Sequence, residues 1–144
     1  MNEQNYKNHA QFVPLFHYVL APLLLLIIIG SIVNLIQSMG DHERLYSAAL
    51  IVALSVAGFL TAFFARTFAL KAQDRAIRVE ENLRHFAMTG KLLDPRLTVA
   101  QIVALRFASD AEFLALAQTA AKNNMKSADI KGAVKNWRAD NYRV

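Results

Sequence analysis

The side chains that could hold a metal ion or a haem iron are the four histidines, His9, His17, His42 and His85. Such a centre needs several ligands that meet at one point. The histidines lie before, between and after two long apolar stretches, and the chain contains no cysteine that could add a thiolate. We therefore expect no cofactor within one chain. His17 could pair only with its copy in a dimer or with a partner subunit, and anchoring its helix at an interface is the simpler role.

Residues for hydrolysis or nucleotide chemistry are also missing. Ser109, Asp110 and Glu112 are near neighbours, but a serine followed three residues later by a glutamate is typical of a helix N-terminus. The five glycines never cluster, whereas a phosphate-binding loop requires closely spaced glycines. Neither apolar stretch contains an acidic residue, which argues against an ion-coupled pump built by one chain. We expect a protein that is not an enzyme.

Basic residues offer binding rather than catalysis, and they give the chain a net charge of +5. Arg66 is followed by Lys71, Arg75 and Arg78, and the last three fall within about 60° of one another on a helix. Such a cluster suits anionic lipid headgroups, at about 1 kcal/mol for each basic residue near the surface. A solvated face whose charge only directs membrane topology is an equally good interpretation.

A second group of basic residues near the C-terminus makes nucleic acid an alternative partner. No recognition motif accompanies these charges, so we expect nucleic acid to be an unlikely partner. The group consists of Lys122, Lys126, Lys131, Lys135, Arg138 and Arg143, with Trp137 and Tyr142 among them.

Two apolar stretches must position all of these residues. The chain is 55% hydrophobic, and it carries no charge from Tyr18 to Ile36 or from Tyr46 to Ala65. Each stretch is long enough to cross a hydrocarbon core of about 30 Å. We predict a transmembrane hairpin over residues 16–70, with spans at about 16–37 and 46–68 and a turn at 38–45. A removable signal peptide is the rival interpretation of the first stretch, but its apolar run is too long and no cleavage site follows.

The distribution of basic residues predicts the topology. All of the 16 lysines and arginines except Lys7 and Arg44 lie from Arg66 onward. Because basic residues near span ends stay on the cytoplasmic side, we expect both termini to be cytoplasmic. Residues 1–15 would form an N-terminal cytoplasmic segment, and residues 71–144 would form a basic helical domain.

Small residues recur every four positions in the second span. Small side chains let helix backbones approach closely in lipid, so we predict that these residues pack against the first span, although chance enrichment in alanine is the alternative. Pro22 predicts a kink in the first span. The recurring residues are Ala49, Ala53, Ala57, Thr61, Ala65 and Ala69.

The second helix is predicted to continue well past the apolar stretch, because no proline or glycine lies between Arg66 and Gly90. Acid–base pairs at i, i+4 spacing support it, namely Asp74 with Arg78 and Glu80 with Arg84. Alternating spacings of three and four residues predict an apolar seam that packs on the chain's own C-terminal helices or on another protomer. We define the seam as Ala72, Ala76, Val79, Leu83 and Phe86.

Three short helices are predicted after the break at residues 92–95. Thr98, Ser109 and Ser127 can cap their N-termini, and the third helix is expected to extend to Trp137. The predicted fold class is an all-α membrane protein: a two-helix hairpin whose second helix extends into the cytoplasm, followed by a small bundle of short helices.

Several stretches carry a family resemblance: residues 8–17, 65–75, 104–110 and 130–138. In these stretches the chain resembles a family of small bacterial two-span membrane proteins catalogued as domain of unknown function 6526. The resemblance covers nearly the whole chain. It implies two spans and a helical tail, and it implies no activity, ligand or catalytic residue.

The function that we expect is that of a non-enzymatic accessory or scaffold protein of the bacterial inner membrane. Its partners would be membrane lipid and a protein, either a different subunit or further copies of the chain. The alternative is a subunit of a transporter or channel-like assembly. An enzyme acting on an interfacial lipid is a third hypothesis, which the missing nucleophile and base weaken.

Overall fold

The structure is a computed structural model that describes residues 4–9 and 12–141. Within this part of the chain the regular elements are helices, which confirms the predicted all-α architecture. The outer ends of the chain, including Tyr142 and Arg143, lie outside the described residues. A π-helical turn at Leu15–Leu20 is followed by α1 (Ala21–Gln37), α2 (His42–Thr89), α3 (Val99–Leu105), α4 (Asp110–Asn123) and α5 (Ser127–Ala133).

The chain divides into two compact units. Residues 12–69 form a hairpin unit, and residues 70–141 together with residues 4–9 form a C-terminal unit. The predicted N-terminal segment 1–15 is therefore divided between the two units. Two helical stretches, Leu15–Gln37 and His42–Thr89, are long and apolar enough to cross a membrane.

The start of the hairpin unit is adjusted around Pro22. Proline has no N–H and its ring clashes with the preceding turn of an α-helix. The chain responds with the π-helical turn, in which the N–H of Ala21 donates to the carbonyl of Phe16, five residues back. The sequence predicted a kink near Pro22, and the structure has a π-helical turn before α1 at this place.

The turn between α1 and α2 is shorter than the predicted turn at residues 38–45, because α2 already begins at His42. The Asp41 carboxylate accepts the backbone N–H groups of Glu43 and Arg44, at 3.1 and 3.3 Å. This is the contact by which an aspartate caps a helix N-terminus. Gly40 has a φ of +136°, a conformation that favours glycine.

The two helices of the hairpin meet through small residues. Ala48 is 1% exposed, Gly58 lies next to Leu24, and the buried hydroxyls of Ser31 and Ser55 share a hydrogen bond of 3.1 Å. A glycine and serines at the contact are typical of helix pairs in lipid.

The predicted packing stripe is not the face that meets α1, because all six of its members are exposed in the structure. A residue spacing of exactly four advances about 40° around an α-helix at each step, so such a stripe rotates away from any fixed neighbour. The residues of this part of α2 that are buried or half-buried instead include three at spacings of seven, Ala48, Ser55 and Ala62. The exposed residues are Ala49, Ala53, Ala57, Thr61, Ala65 and Ala69.

The C-terminal unit has its own apolar core around Leu105, Phe113 and Ile130, each fully buried. The predicted Thr98 cap is confirmed: its hydroxyl accepts the N–H of Gln101, whose side chain accepts the N–H of Thr98 in return. Ser109 is the N-cap of α4 as predicted, but its side chain makes no cap bond to the backbone and instead donates to the Glu112 carboxylate at 3.1 Å. The predicted Ser127 cap is wrong, because Lys126 is the N-cap of α5.

The last predicted helix is also too long, because α5 ends at Ala133 and Trp137 lies in an extended segment. The backbone N–H of Asn136 donates to the Glu112 carboxylate at 2.8 Å. The backbone N–H of Arg138 donates to the carbonyl of Phe107 at 2.7 Å. Burial raises the pKa of Glu112, but the hydrogen bonds from the backbone N–H groups outweigh it and lower the pKa.

The register of the hairpin generates a prediction. Ala48→Leu forces a larger side chain against α1 and should destabilise the chain by about 1 to 3 kcal/mol. Ala49→Leu, the matched control one residue away, should have little effect because Ala49 is exposed. The melting temperatures of the two purified full-length variants in detergent measure the difference. An equal fall in melting temperature for both variants, or a larger fall for Ala49→Leu, would support the packing stripe predicted from the sequence.

Candidate functional site

An apolar groove runs along α2 in the C-terminal unit, and we call it the seam groove. Its apolar side chains are largely exposed: Val79 (67%), Leu83 (64%), Phe86 (50%) and Leu92 (66%). The other lining residues are Arg75, Arg78 and Asn82.

The seam groove contains the larger members of the predicted seam. The small members of the predicted seam, Ala72 and Ala76, are exposed as well. Of the two partners predicted for the seam, the chain's own C-terminal helices are excluded within the described residues. The seam remains an unpartnered apolar face.

The opposite side of α2 faces the C-terminal helices. Ile77 is 5% exposed and Glu81 is 4% exposed. Glu81 lies about 160° around the helix from Leu83. The C-terminal part of α2 is therefore buried on one side and exposed on the other.

An ion-pair network attaches the buried side of α2. Arg84 donates to Glu81 at 3.0 Å and to the carbonyl of Ala108 at 2.8 Å, and it also binds Asp110. Its guanidinium carbon lies 4.2 Å from the centre of the Phe113 ring, in cation–π geometry. Arg84 therefore connects α2 to the start of α4.

Arg84 also holds the pKa of the Asp110 carboxyl below its ordinary value, through its hydrogen bond and its charge. A lowered pKa means that the stabilisation is complete above the ordinary carboxyl pKa and is lost as the pH falls through the lowered value. Neither i, i+4 pair predicted from the sequence forms among the described residues. In one of them, Arg84 pairs with Glu81 rather than with Glu80.

Two further ion pairs lie beside this network. Arg138 approaches Glu81 at 3.6 Å, and the buried Arg106 pairs with Asp140 at 2.9 Å. They attach the extended segment after α5 to the rest of the unit. Arg138, one of the basic residues considered for nucleic acid, thus contacts a carboxylate of its own chain.

The predicted basic residues fall in both units. Arg66 belongs to the hairpin unit, where its guanidinium carbon lies 5.6 Å from the centre of the Phe16 ring. Lys71, Arg75 and Arg78 belong to the C-terminal unit and are exposed. Since Arg75 and Arg78 also line the seam groove, the basic cluster and the apolar seam form one surface.

Sequence reasoning missed Leu92 and Asn82. The predicted helix end is confirmed, because α2 ends at Thr89 and Gly90 has a φ of +72°. After this reversal the Asn82 side chain accepts the N–H of Leu93 at 3.2 Å. This contact returns the chain toward α2, where Leu92 joins the groove. The left-handed glycine was the available signal, but the contact depends on the tertiary fold.

The arrangement is suited to binding. In residues 4–9 and 12–141 no three histidine, aspartate or glutamate side chains come together as a metal site. An apolar groove beside exposed guanidinium groups can accept apolar side chains together with carboxylates or phosphates. The structure thus defines an all-helical protein with two helices apolar enough to cross a membrane and an exposed apolar groove beside basic residues.

Comparison with known proteins places the chain in a family. A family model described as "Family of unknown function (DUF6526)" matches residues 1–144, so the chain belongs to this family. The resemblance to domain of unknown function 6526 noted in the sequence is thereby confirmed. No curated protein and no solved structure shows a significant match to the chain.

The ion-pair network generates a prediction. Arg84→Ala removes the main partner of the buried Glu81 carboxylate and should destabilise the C-terminal unit by about 3 kcal/mol. Urea unfolding followed by the fluorescence of Trp137, the single tryptophan, measures the change. Arg96→Ala is the matched control, because the pair of Arg96 with Asp94 is solvent-exposed and contributes little. Similar midpoints for both variants would show that the network does not hold α2.

Proposed function

We propose that this protein is a non-enzymatic accessory or scaffold protein of the bacterial inner membrane. In this proposal the hairpin unit is inserted in the bilayer and both termini are cytoplasmic. The C-terminal unit then presents the seam groove and the basic cluster to anionic lipid and to a protein partner.

The observation that carries the proposal is the outward orientation of the apolar side chains in the hairpin unit. The most apolar 18-residue segments of the two helical stretches have mean hydropathies of 2.7 and 2.3, yet only 6% and 11% of their residues are buried. Leu26 is 66% exposed and Leu54 is 70% exposed. The core helix of a soluble protein buries such residues, since exposing apolar surface to water costs about 25 cal/mol for each Å². A lipid environment removes this cost.

The surface of the spans also bears on the transport alternative. The hydroxyls of Thr61 and Thr67 donate to the carbonyls of Ala57 and Phe63 in their own helix, each at 2.8 Å. These threonines therefore offer little hydrogen bonding to a permeating solute. The exposed faces of the hairpin match acyl chains better than a water-filled path, and this favours an anchor over a conduit.

Insertion and topology can be tested by cysteine labelling, because the chain has no native cysteine. Met39 lies in the turn, Asn123 lies at the end of α4, and both are exposed. Each is replaced by cysteine in a separate variant, Met39→Cys or Asn123→Cys. In intact spheroplasts an impermeant maleimide should label Met39→Cys and leave Asn123→Cys unmodified until the membrane is opened. The reverse pattern contradicts the topology, and release of the protein by alkaline carbonate contradicts insertion.

The lipid contact can be tested with matched charge removals. Replacing Lys71, Arg75 and Arg78 together by alanine should weaken binding of phosphatidylglycerol to the purified full chain by at least about tenfold, since each basic residue contributes about 1 kcal/mol. Native mass spectrometry with phosphatidylglycerol and phosphatidylcholine measures the bound lipid.

The control for this experiment removes the same charge elsewhere. Lys122, Lys126 and Lys135 are exposed and lie outside the basic cluster. Their joint replacement by alanine should leave phosphatidylglycerol binding nearly unchanged. Equal losses in the two triple variants would mean that net charge alone, and not the cluster, attracts the lipid.

A further inference from the structure

We infer that two copies of this chain associate through the seam groove, with their α2 helices parallel. The groove leaves Val79 and Leu83 about two-thirds exposed, on the side of α2 that its own unit does not use. The inference goes beyond the proposed function and rests on membrane insertion only for the parallel direction of the helices.

The spacing of the seam points to a second copy as its occupant. Ala72, Val79 and Phe86 are separated by seven residues, and Ala76 and Leu83 lie between them. This is the heptad repeat by which two helices interlock along one line, with the first set at d positions and the second at a positions. A second copy brings the same repeat, so each large side chain can enter the space between those of its neighbour.

Charge complementarity supports the parallel arrangement. In this register Arg75 occupies a g position and Glu80 the e position of the following heptad. In a parallel pair, a g residue faces the e residue five positions later on the other helix. Arg75 of each copy would therefore meet Glu80 of the other. In an antiparallel pair g residues face g residues and e residues face e residues, so this pairing of Arg75 with Glu80 would be lost.

Arg75 and Glu80 form no ion pair with the part of the chain that the structure describes. Among residues 4–9 and 12–141, no ion pair involves Arg75 or Glu80. The nearby carboxylate that does form ion pairs, Glu81, lies on the buried side of α2. Arg75 and Glu80 flank the seam on its two sides, as g and e residues do.

Membrane insertion determines the direction of the two helices. In copies with the same topology the α2 helices point in the same direction, and their seams begin at the same distance along the chain from the apolar span. The contact uses the same surface on both copies, so it closes as a two-fold dimer and does not propagate into a filament.

Disulfide crosslinking tests the contact in the full-length chain. Single cysteines are introduced by Ala76→Cys, Val79→Cys and Leu83→Cys, and oxidation is carried out in isolated membranes. A disulfide requires Cα atoms within about 7 Å, so all three variants should form covalent dimers. Met88→Cys is the matched control, because Met88 is also exposed but lies about 140° around the helix from Leu83.

A charge exchange tests the register. Arg75→Glu alone or Glu80→Arg alone places like charges opposite each other and should weaken association by at least about tenfold. The double variant, Arg75→Glu with Glu80→Arg, should restore it. Mixing the two single variants should give a heterodimer in preference to either homodimer, because both cross-pairs are then complementary.

Each outcome supports or overturns the inference. Absence of dimers at the seam cysteines overturns it when the protein is in the membrane fraction and Trp137 fluorescence shows a folded C-terminal unit. Equal crosslinking of Met88→Cys, crosslinking at only one seam position, or crosslinking only to a different protein also overturns it. If the chain is found in the aqueous fraction, the same oxidation is carried out on that fraction. Dimers at all three seam positions then support the association and refute the proposed membrane insertion, and absence of dimers overturns both.

Discussion

The buried carboxylate of Glu81 constrains how α2 packs in the C-terminal unit. A charge removed from water is tolerated only when it is paired, and here Arg84 and Arg138 provide the pairing. Arg84 extends the constraint to Asp110 at the start of α4. Helix α2 can therefore turn only one side toward the short helices, and the apolar seam on the other side is left bare. A polar contact thus decides where the exposed apolar surface lies.

The hairpin unit follows the opposite rule, because small side chains hold it together and large ones point outward. Ser55 and Gly58 of α2 contact α1, Ala48 is buried, and many bulky residues of both helices remain exposed. In water this arrangement would be costly. In lipid it is the expected one, since apolar side chains gain nothing by leaving the acyl chains and close backbone packing becomes the main attraction between helices.

The proposals for function follow from one long helix with two kinds of surface. In the proposed arrangement α2 provides the anchor in its first half and the binding surface in its second. A dimer through the seam groove would bury the apolar side chains and bring two basic clusters to the same membrane face. Two clusters on one particle bind a charged surface more strongly than either cluster alone. Because Arg75 would pair with Glu80 of the other copy, Lys71 and Arg78 of each copy would remain for the lipid.

The amino-acid sequence by itself determined the features that depend on neighbouring residues. The apolar runs, the end of α2 at Thr89 and Gly90, and the Thr98 cap could all be predicted, because hydrophobicity, left-handed glycines and capping act within a few positions. The seam, too, was recognisable from its spacing.

Only the tertiary structure decided between residues that are locally equivalent. Ala48 and Ala49 differ by about 100° around the helix, and nothing in their own chemistry says which one meets α1. In the same way Arg84 binds Glu81 rather than Glu80 because Asp110 and Ala108 lie on that side. The chain stays extended at Trp137 because Glu112, far back in the sequence, accepts the N–H of Asn136. These choices depend on contacts between distant residues, which no local pattern encodes.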